Sequence, residues 1–206
     1  NIRSRKGAAR IAVAHNRNDQ AETVMMRIMR GTGLKGLAGI DFIRADGVVI
    51  RPVLDLSRDE IERYCEENGL HPRIDSTNKE AIYTRNKIRL ELLPMMKEKF
   101  NPNIVDALVR LSAQAREDEE HIMSEAIAYA DGEEPRAHAR WNKAESSLRL
   151  DGFTELHSAV AKRVIMLCAL RAGMEQNMST VNLESALRLA ENGAEGKETD
   201  LADGFY

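Results

Sequence analysis

Near its start the chain changes texture. The apolar run Ile11-Ala12-Val13-Ala14 breaks into the polar cluster His15 to Asp19, and helical periodicity follows at once. From Asp19 on, Ala21, Val24, Met25, Ile28 and Met29 recur at helical spacing, and Gly31 and Gly33 stop the pattern. A buried strand, a polar turn and a helix in that order predict an α/β half-unit. A second β-rich run, Val48 to Ile50, precedes Arg51 and Pro52, and Ser57 with Glu60 three residues later has the spacing of a capping box. Ile61, Tyr64 and Cys65 are expected on the core face of that helix, with Asn68 and Gly69 ending it. After His71 and Pro72 a polar loop carries Asp75 to Asn78, and a basic helical segment is predicted from Tyr83 to Leu93, stopping before Pro94.

Beyond Asn101 and Pro102 the pattern becomes almost continuously helical. Ile104, Ala107, Leu108, Leu111 and Ala115 lie on one stripe, Leu156 to Ala172 reads as another amphipathic helix and Leu183 to Leu189 as a last one, with an exposed breaker at Asp131 to Pro135. The expected organisation is therefore residues 1–99 as an α/β remnant and 100–206 as an all-α domain, mostly helical overall. Charge follows the same division. Residues 1–99 hold 19 basic and 14 acidic side chains, a net of +5, and residues 100–206 hold 11 and 19, a net of −8. A polyanion would meet the first half.

Composition excludes several classes. Cys65 and Cys168 stand alone with no CxxC, so neither a disulfide framework nor a zinc site is indicated, and a reducing cytoplasm fits. The longest apolar run, Val164 to Leu170, falls far short of the about 20 residues that cross a bilayer. Aromatic residues are too sparse for a base-stacking platform.

Three constellations could carry chemistry. The first is His15 to Thr23, where a strand's carboxyl end meets a helix amino end, the place where open α/β sheets bind ligands. Asp19 and Glu22 read either as a capping box or as a carboxylate pair able to hold a cationic amine or, through water, Mg²⁺. The second is Arg30-Gly31-Thr32-Gly33-Leu34-Lys35-Gly36-Leu37. It follows a helix, so it is not a P-loop, and it reads equally as a backbone-hugging phosphate or RNA contact and as a helix C-cap followed by a turn. The third is Tyr83 to Arg89, where Arg85 and Arg89, four apart on one helix face, either fork onto neighbouring phosphates or form a solvated basic face. Glu117 to Glu120 reads as solvated helix surface, and His121, His138 and His157 share no ligand spacing.

Together and in this order, these segments resemble the tRNA(Ile)-lysidine synthases, a family of PP-loop enzymes. The resemblance rests on His15 to Thr23 with its DQAET, on the intact RGTGLKGL of Arg30 to Leu37, on Arg51-Pro52-Val53-Leu54 and Arg58-Asp59-Glu60-Ile61, on Asp75-Ser76-Thr77-Asn78, and on Tyr83 to Arg89. It continues through Glu91 to Pro94 and Asn101 to Asn103 and weakens in the helical half.

The resemblance implies a ligase that uses Mg²⁺ and ATP to adenylate the C2 oxygen of the wobble cytidine in a tRNA(Ile) with a CAU anticodon, after which the ε-amine of L-lysine displaces AMP. It implies Asp19, Glu22 and His15 as catalytic-site residues, the first two holding lysine. It implies substrate or tRNA contacts from Gln20, Arg30, Gly31, Thr32, Gly33, Lys35, Arg51, Asp75, Asn78, Arg85, Asn86 and Arg89. The family's SGGxDS loop for ATP phosphates does not occur in the chain. The expectation is an internal piece of the longer enzyme, 1–99 being the C-terminal part of the PP-loop domain, inactive by itself. Met25 to Met29 suits either a core or a homodimer interface. The rival readings are a PP-loop enzyme that thiolates tRNA, which the lone cysteines disfavour, and a helical module that binds a protein partner.

Overall fold

A computed structural model describes residues 7–72, 84–132, 141–142, 147–148, 150, 152–174, 178–192 and 198–199. Asp75 to Asn78 and Tyr83, with the roles expected of them, lie outside the described residues. The chain forms two compact units, Asn1–Glu119 and Glu120–Tyr206.

In the first unit the apolar run becomes β1 (Ile11–Ala12), which pairs in parallel with β2 (Val49–Ile50), Ile11 opposite Val49 and Ala12 opposite Ile50. The pairing runs on past the strands, since Val13 N–H donates to Ile50 O at 3.0 Å. Ile43 bridges Ile50 antiparallel on the other side, returning through a turn at Asp46 and Gly47. Asp46 is held to about 2 by its hydrogen bonds, chiefly from Arg44 and then from the Val48 N–H.

Helix α1 (Arg17–Met29) follows β1, then the four-residue α2 (Leu34–Leu37) and, after β2, α3 (Arg58–Glu67). The α1 capping box lies three residues before the expected one. Asn16 is the N-cap, its side chain accepting from the Asp19 N–H at 3.1 Å while Asp19 accepts from the Asn16 N–H at 3.0 Å. Asp19 thus takes the third helical position, and Glu22 is free to point elsewhere. The α3 box of Ser57 and Glu60 forms as expected, and Asn68 and Gly69 end the helix. Of the residues expected on its core face, Ile61 and Cys65 are half-buried, whereas Tyr64 is 61% exposed, and no residue of α3 is fully buried.

The basic segment forms α4 (Thr84–Lys87), a π-helical turn (Ile88–Leu92) and α5 (Leu93–Lys99). Pro94 does not stop the path. The wide turn lets Leu93 N–H reach Ile88 O, and Pro94 sits at the start of α5, where a missing N–H costs nothing. Ala21, Val24 and Met25 of α1 meet Ile88, Leu93 and Leu108 in one apolar core, burial of each large side chain contributing about 1.5–3 kcal/mol. Met25 and Met26 serve this core, whereas Met29 is exposed.

The long α6 (Ile104–Asp131) begins in this unit with Leu108, Ser112, Ala115 and Glu119 buried. Leu111, expected on the stripe, is exposed, and Glu119, expected on the solvated surface, is buried and engaged, because the packed stripe is rotated relative to the apolar pattern.

The second unit continues α6 and adds a two-residue antiparallel pair, β3 (Trp141–Asn142) with β4 (Ser147–Leu148), then α7 (Ser158–Arg171) and α8 (Thr180–Asn192). Its core joins Ala126, Tyr129, Phe153, Val160, Val164 and Leu187, with Tyr129 and Phe153 edge to face at 6.2 Å. Burial pushes the Cys168 thiol up to about 11, as for an inert packed cysteine. The side chain of His157 caps α7 by accepting from the Ala159 N–H. Among the described residues no helix is long and apolar enough to cross a membrane.

Candidate active site

The first and third sequence constellations meet in one ion cluster. Glu22 and Asp19 stand on the first turns of α1, and Arg85 and Arg89 on successive turns of α4 and the π-helical segment packed against it. Arg85 Nε donates to Glu22 Oε2 at 2.9 Å and its Nη2 to Asp19 Oδ1 at 2.9 Å. Arg89 Nε donates to Glu22 Oε1 at 2.6 Å, and its Nη2 to Asp19 Oδ1 at 3.0 Å and Glu22 Oε2 at 2.8 Å. The Glu22 side chain is 2% exposed and that of Asp19 14%, so water competes little for these bonds. The hydrogen bond to Glu22 raises the Arg89 guanidinium further above its ordinary value, against the opposing effect of burial.

Two consequences follow from this geometry. Both Glu22 oxygens and Asp19 Oδ1 are taken by guanidinium groups, and Asp19 Oδ2 accepts the Asn16 N–H. These bonds hold both carboxylates against the two guanidinium groups. Each guanidinium meanwhile spends its Nε and Nη2 edge on carboxylates and leaves Nη1 with no bond among the described residues. Two fixed cations with free N–H groups, partly open to solvent, suit an anion such as a phosphate. Asn86, between them in sequence, is half-buried and engaged.

Gln20 faces the other way. Its amide nitrogen donates to Ser112 Oγ at 3.1 Å and to Ile40 O at 3.3 Å, and its oxygen accepts the Ile40 N–H at 2.6 Å. Gly39 has φ +69°, and a Cβ there would lie 2.7 Å from the Gln20 amide. Two arginines that the sequence did not single out fasten the same segment. Arg27 Nη1 donates to Gly36 O at 2.7 Å and Gly39 O at 2.8 Å, and Arg116 Nη2 to Ala38 O at 2.6 Å and Ile40 O at 2.9 Å. The only sequence signal for Arg116 is the polar Ser112 one turn earlier, inside an apolar stripe.

The glycine-rich segment combines both of its expected readings. Gly31, at φ +74°, follows the α1 C-cap Arg30, and Gly33 caps α2. Thr32 folds so closely over Gly36 that a Cβ there would meet its Oγ1 at 1.7 Å. Arg30 and Lys35 point to solvent with no partner among the described residues.

At the carboxyl edge of the parallel strands, Arg51 Nε donates to His15 Nδ1 at 3.2 Å and Arg51 Nη1 donates to Asp41 O at 2.6 Å. Among the described residues no group of three or more His, Cys, Asp or Glu side chains is placed to hold a metal ion.

Residues 1–96 match the PP-loop domain family. The tRNA(Ile)-lysidine synthase of Clostridioides difficile (strain 630) is 52% identical over 165 residues, which cover 80% of this chain and 34% of that protein. The proteins of the same name from Clostridium tetani and Symbiobacterium thermophilum are 42% and 38% identical over 94% and 96% of this chain and 40% and 42% of their own lengths. The chain thus spans between about a third and two fifths of the curated relatives it matches.

Proposed function

We propose, from the premise that this chain belongs with the tRNA(Ile)-lysidine synthases, that it forms the lysine- and RNA-facing side of an enzyme that joins lysine to C2 of the wobble cytidine in a tRNA(Ile) with a CAU anticodon. ATP, bound with Mg²⁺, supplies the adenylate that activates C2. Among the described residues no three metal-ligating side chains are gathered in one place, so the steps below concern only this chain's own side chains.

The observation that carries the reading is the Asp19–Glu22–Arg85–Arg89 cluster. Its carboxylates lock the guanidinium groups by several charge-assisted bonds apiece, and the free Nη1 groups are aimed without rotamer freedom left to lose. The arginines hold phosphate oxygens of the activated nucleotide or the anticodon loop, where fixed donors stabilise developing negative charge. Arg30 and Lys35 add exposed cations beside a backbone pinned from within by Arg27, Gln20 and Arg116. L-Lysine binds next to this cluster rather than between its members. Two cations already beside the carboxylates favour an uncharged amine, the form that attacks carbon.

The chain, joined upstream to a PP-loop segment that binds ATP, should incorporate labelled lysine into the CAU-anticodon tRNA. Arg89→Lys should lower kcat about 100-fold, because a point charge cannot replace the bidentate fork. Incorporation that is unchanged in Arg89→Lys, or none by a folded, ATP-binding protein, would remove the reading.

A further inference from the structure

His15 and Arg51 come together because parallel strands deliver them. His15 lies three residues past the end of β1 and Arg51 one residue past the end of β2, and the register that sets Ala12 opposite Ile50 brings the two side chains to one edge of the pair. Arg51 is anchored from several sides. Its N–H donates to Phe42 O at 2.8 Å, its Nη1 to Asp41 O at 2.6 Å and its Nε to His15 Nδ1 at 3.2 Å. A guanidinium has only donors to offer. The nitrogen that faces it must therefore present a lone pair, and the hydrogen of a neutral imidazole then sits on the other nitrogen.

We propose that His15 is held as the Nε2–H tautomer by Arg51 and works as a hydrogen-bond donor to an anionic oxygen, of the kind a phosphoryl group carries, not as a general base. Nε2 of His15 and Nη2 of Arg51 each carry no hydrogen bond among the described residues, so both retain N–H groups for a ligand. A base reading needs a lone pair pointing at substrate. Here the lone pair is on Nδ1 and is spent on Arg51, while the outward nitrogen bears hydrogen. No proton changes hands in this role, since the hydrogen stays on Nε2 and the oxygen gains a donor. The functional half of the inference rests on the lysine-transfer reading, whereas the tautomer does not.

The test has a spectroscopic and a kinetic arm, both on the protein joined to a PP-loop segment that binds ATP. Nitrogen NMR of the histidine-labelled protein, with the His15 signal assigned by its loss in His15→Gln, should show the Nε2–H tautomer. Arg51→Met should release the ring into a mixture of tautomers. Inorganic pyrophosphate should shift the His15 Nε2–H resonance, and free lysine should not. In the kinetic arm, His15→Gln places an amide N–H near the Nε2 position and should keep lysine transfer within about tenfold. His15→Asn places it near Nδ1 and should lose about 100-fold, the size of one oxyanion donor. A ring protonated on Nδ1, or equal losses in the Gln and Asn variants, would overturn the proposal. Absence of lysine transfer in the unmutated, folded protein would defeat the functional reading, and the NMR arm would still decide the tautomer.

Discussion

Helices α1 and α3 begin alike and serve differently. Each opens with a complete capping box, Asn16 with Asp19 and Ser57 with Glu60. Yet α1 buries Gln20, Ala21, Glu22, Val24 and Met25, and α3 buries none of its residues. The local signal decides where a helix starts. What the helix does depends on whether its next turns meet partners from distant sequence, and Glu22 meets Arg85 and Arg89 more than sixty residues away.

The two helices should differ most at their charges. Glu22→Ala leaves two guanidinium groups beside a buried void and should destabilise the first unit by about 3 kcal/mol in urea unfolding. Glu62→Ala on α3, which loses only an exposed pair with Arg58, should cost less than about 0.5 kcal/mol. The turns after the two helices should differ next. Gly39→Ala combines the left-handed backbone with a clash against Gln20 and should cost about 3 kcal/mol, whereas Gly69→Ala, equally left-handed but facing open space, should cost about 1 kcal/mol.

The caps should be matched in stability and unmatched in function. Asn16→Ala and Ser57→Ala should each cost about 1 kcal/mol in the same unfolding assay. Only Asn16→Ala should also slow lysine transfer, because it frees Asp19 to move away from Arg85 and Arg89.

The smallest expected effect is in pH. Hydrogen bonds from Ser57 hold the Glu60 carboxyl below its ordinary value of 4.5 in the folded protein. A depressed folded value stabilises above the unfolded pKa and is lost as pH falls through the folded one. Protection of the Ser57 and Glu60 amides, taken relative to their intrinsic exchange rates at each pH, should therefore fall on acidification below about pH 4.5, and should do so much less in Ser57→Ala.

Much of this was legible in the sequence. The β1–α1 unit, the Ser57 box, the Gly31 stop and the helical second half all follow from patterns within about a dozen residues. The errors share a cause. Asp19 looked like the cap because Asp-x-x-Glu has the right spacing, but Asn16 has the same spacing to Asp19 and wins the position. Pro94 looked like a stop because the pattern does not announce a π-helical turn that prepares a new helix start. Tyr64 and Leu111 looked like core residues because apolar spacing says which residues share a face and not whether anything packs against it. The residues of the candidate site were nameable one motif at a time. That the acids of the first motif bind the arginines of the third, and that Arg27 and Arg116 pin the second, are facts of tertiary structure that no local pattern encodes.

In the proposed site Glu22 acts through Arg89, and the acidic and basic motifs form one device. A double-mutant cycle of Glu22→Gln and Arg89→Gln, read as kcat/KM for lysine transfer in the protein with its PP-loop segment, measures this directly. If the claim holds, the double variant is no slower than the slower single one. Losses that multiply would show the two residues working independently, and would return Glu22 to a separate role toward lysine.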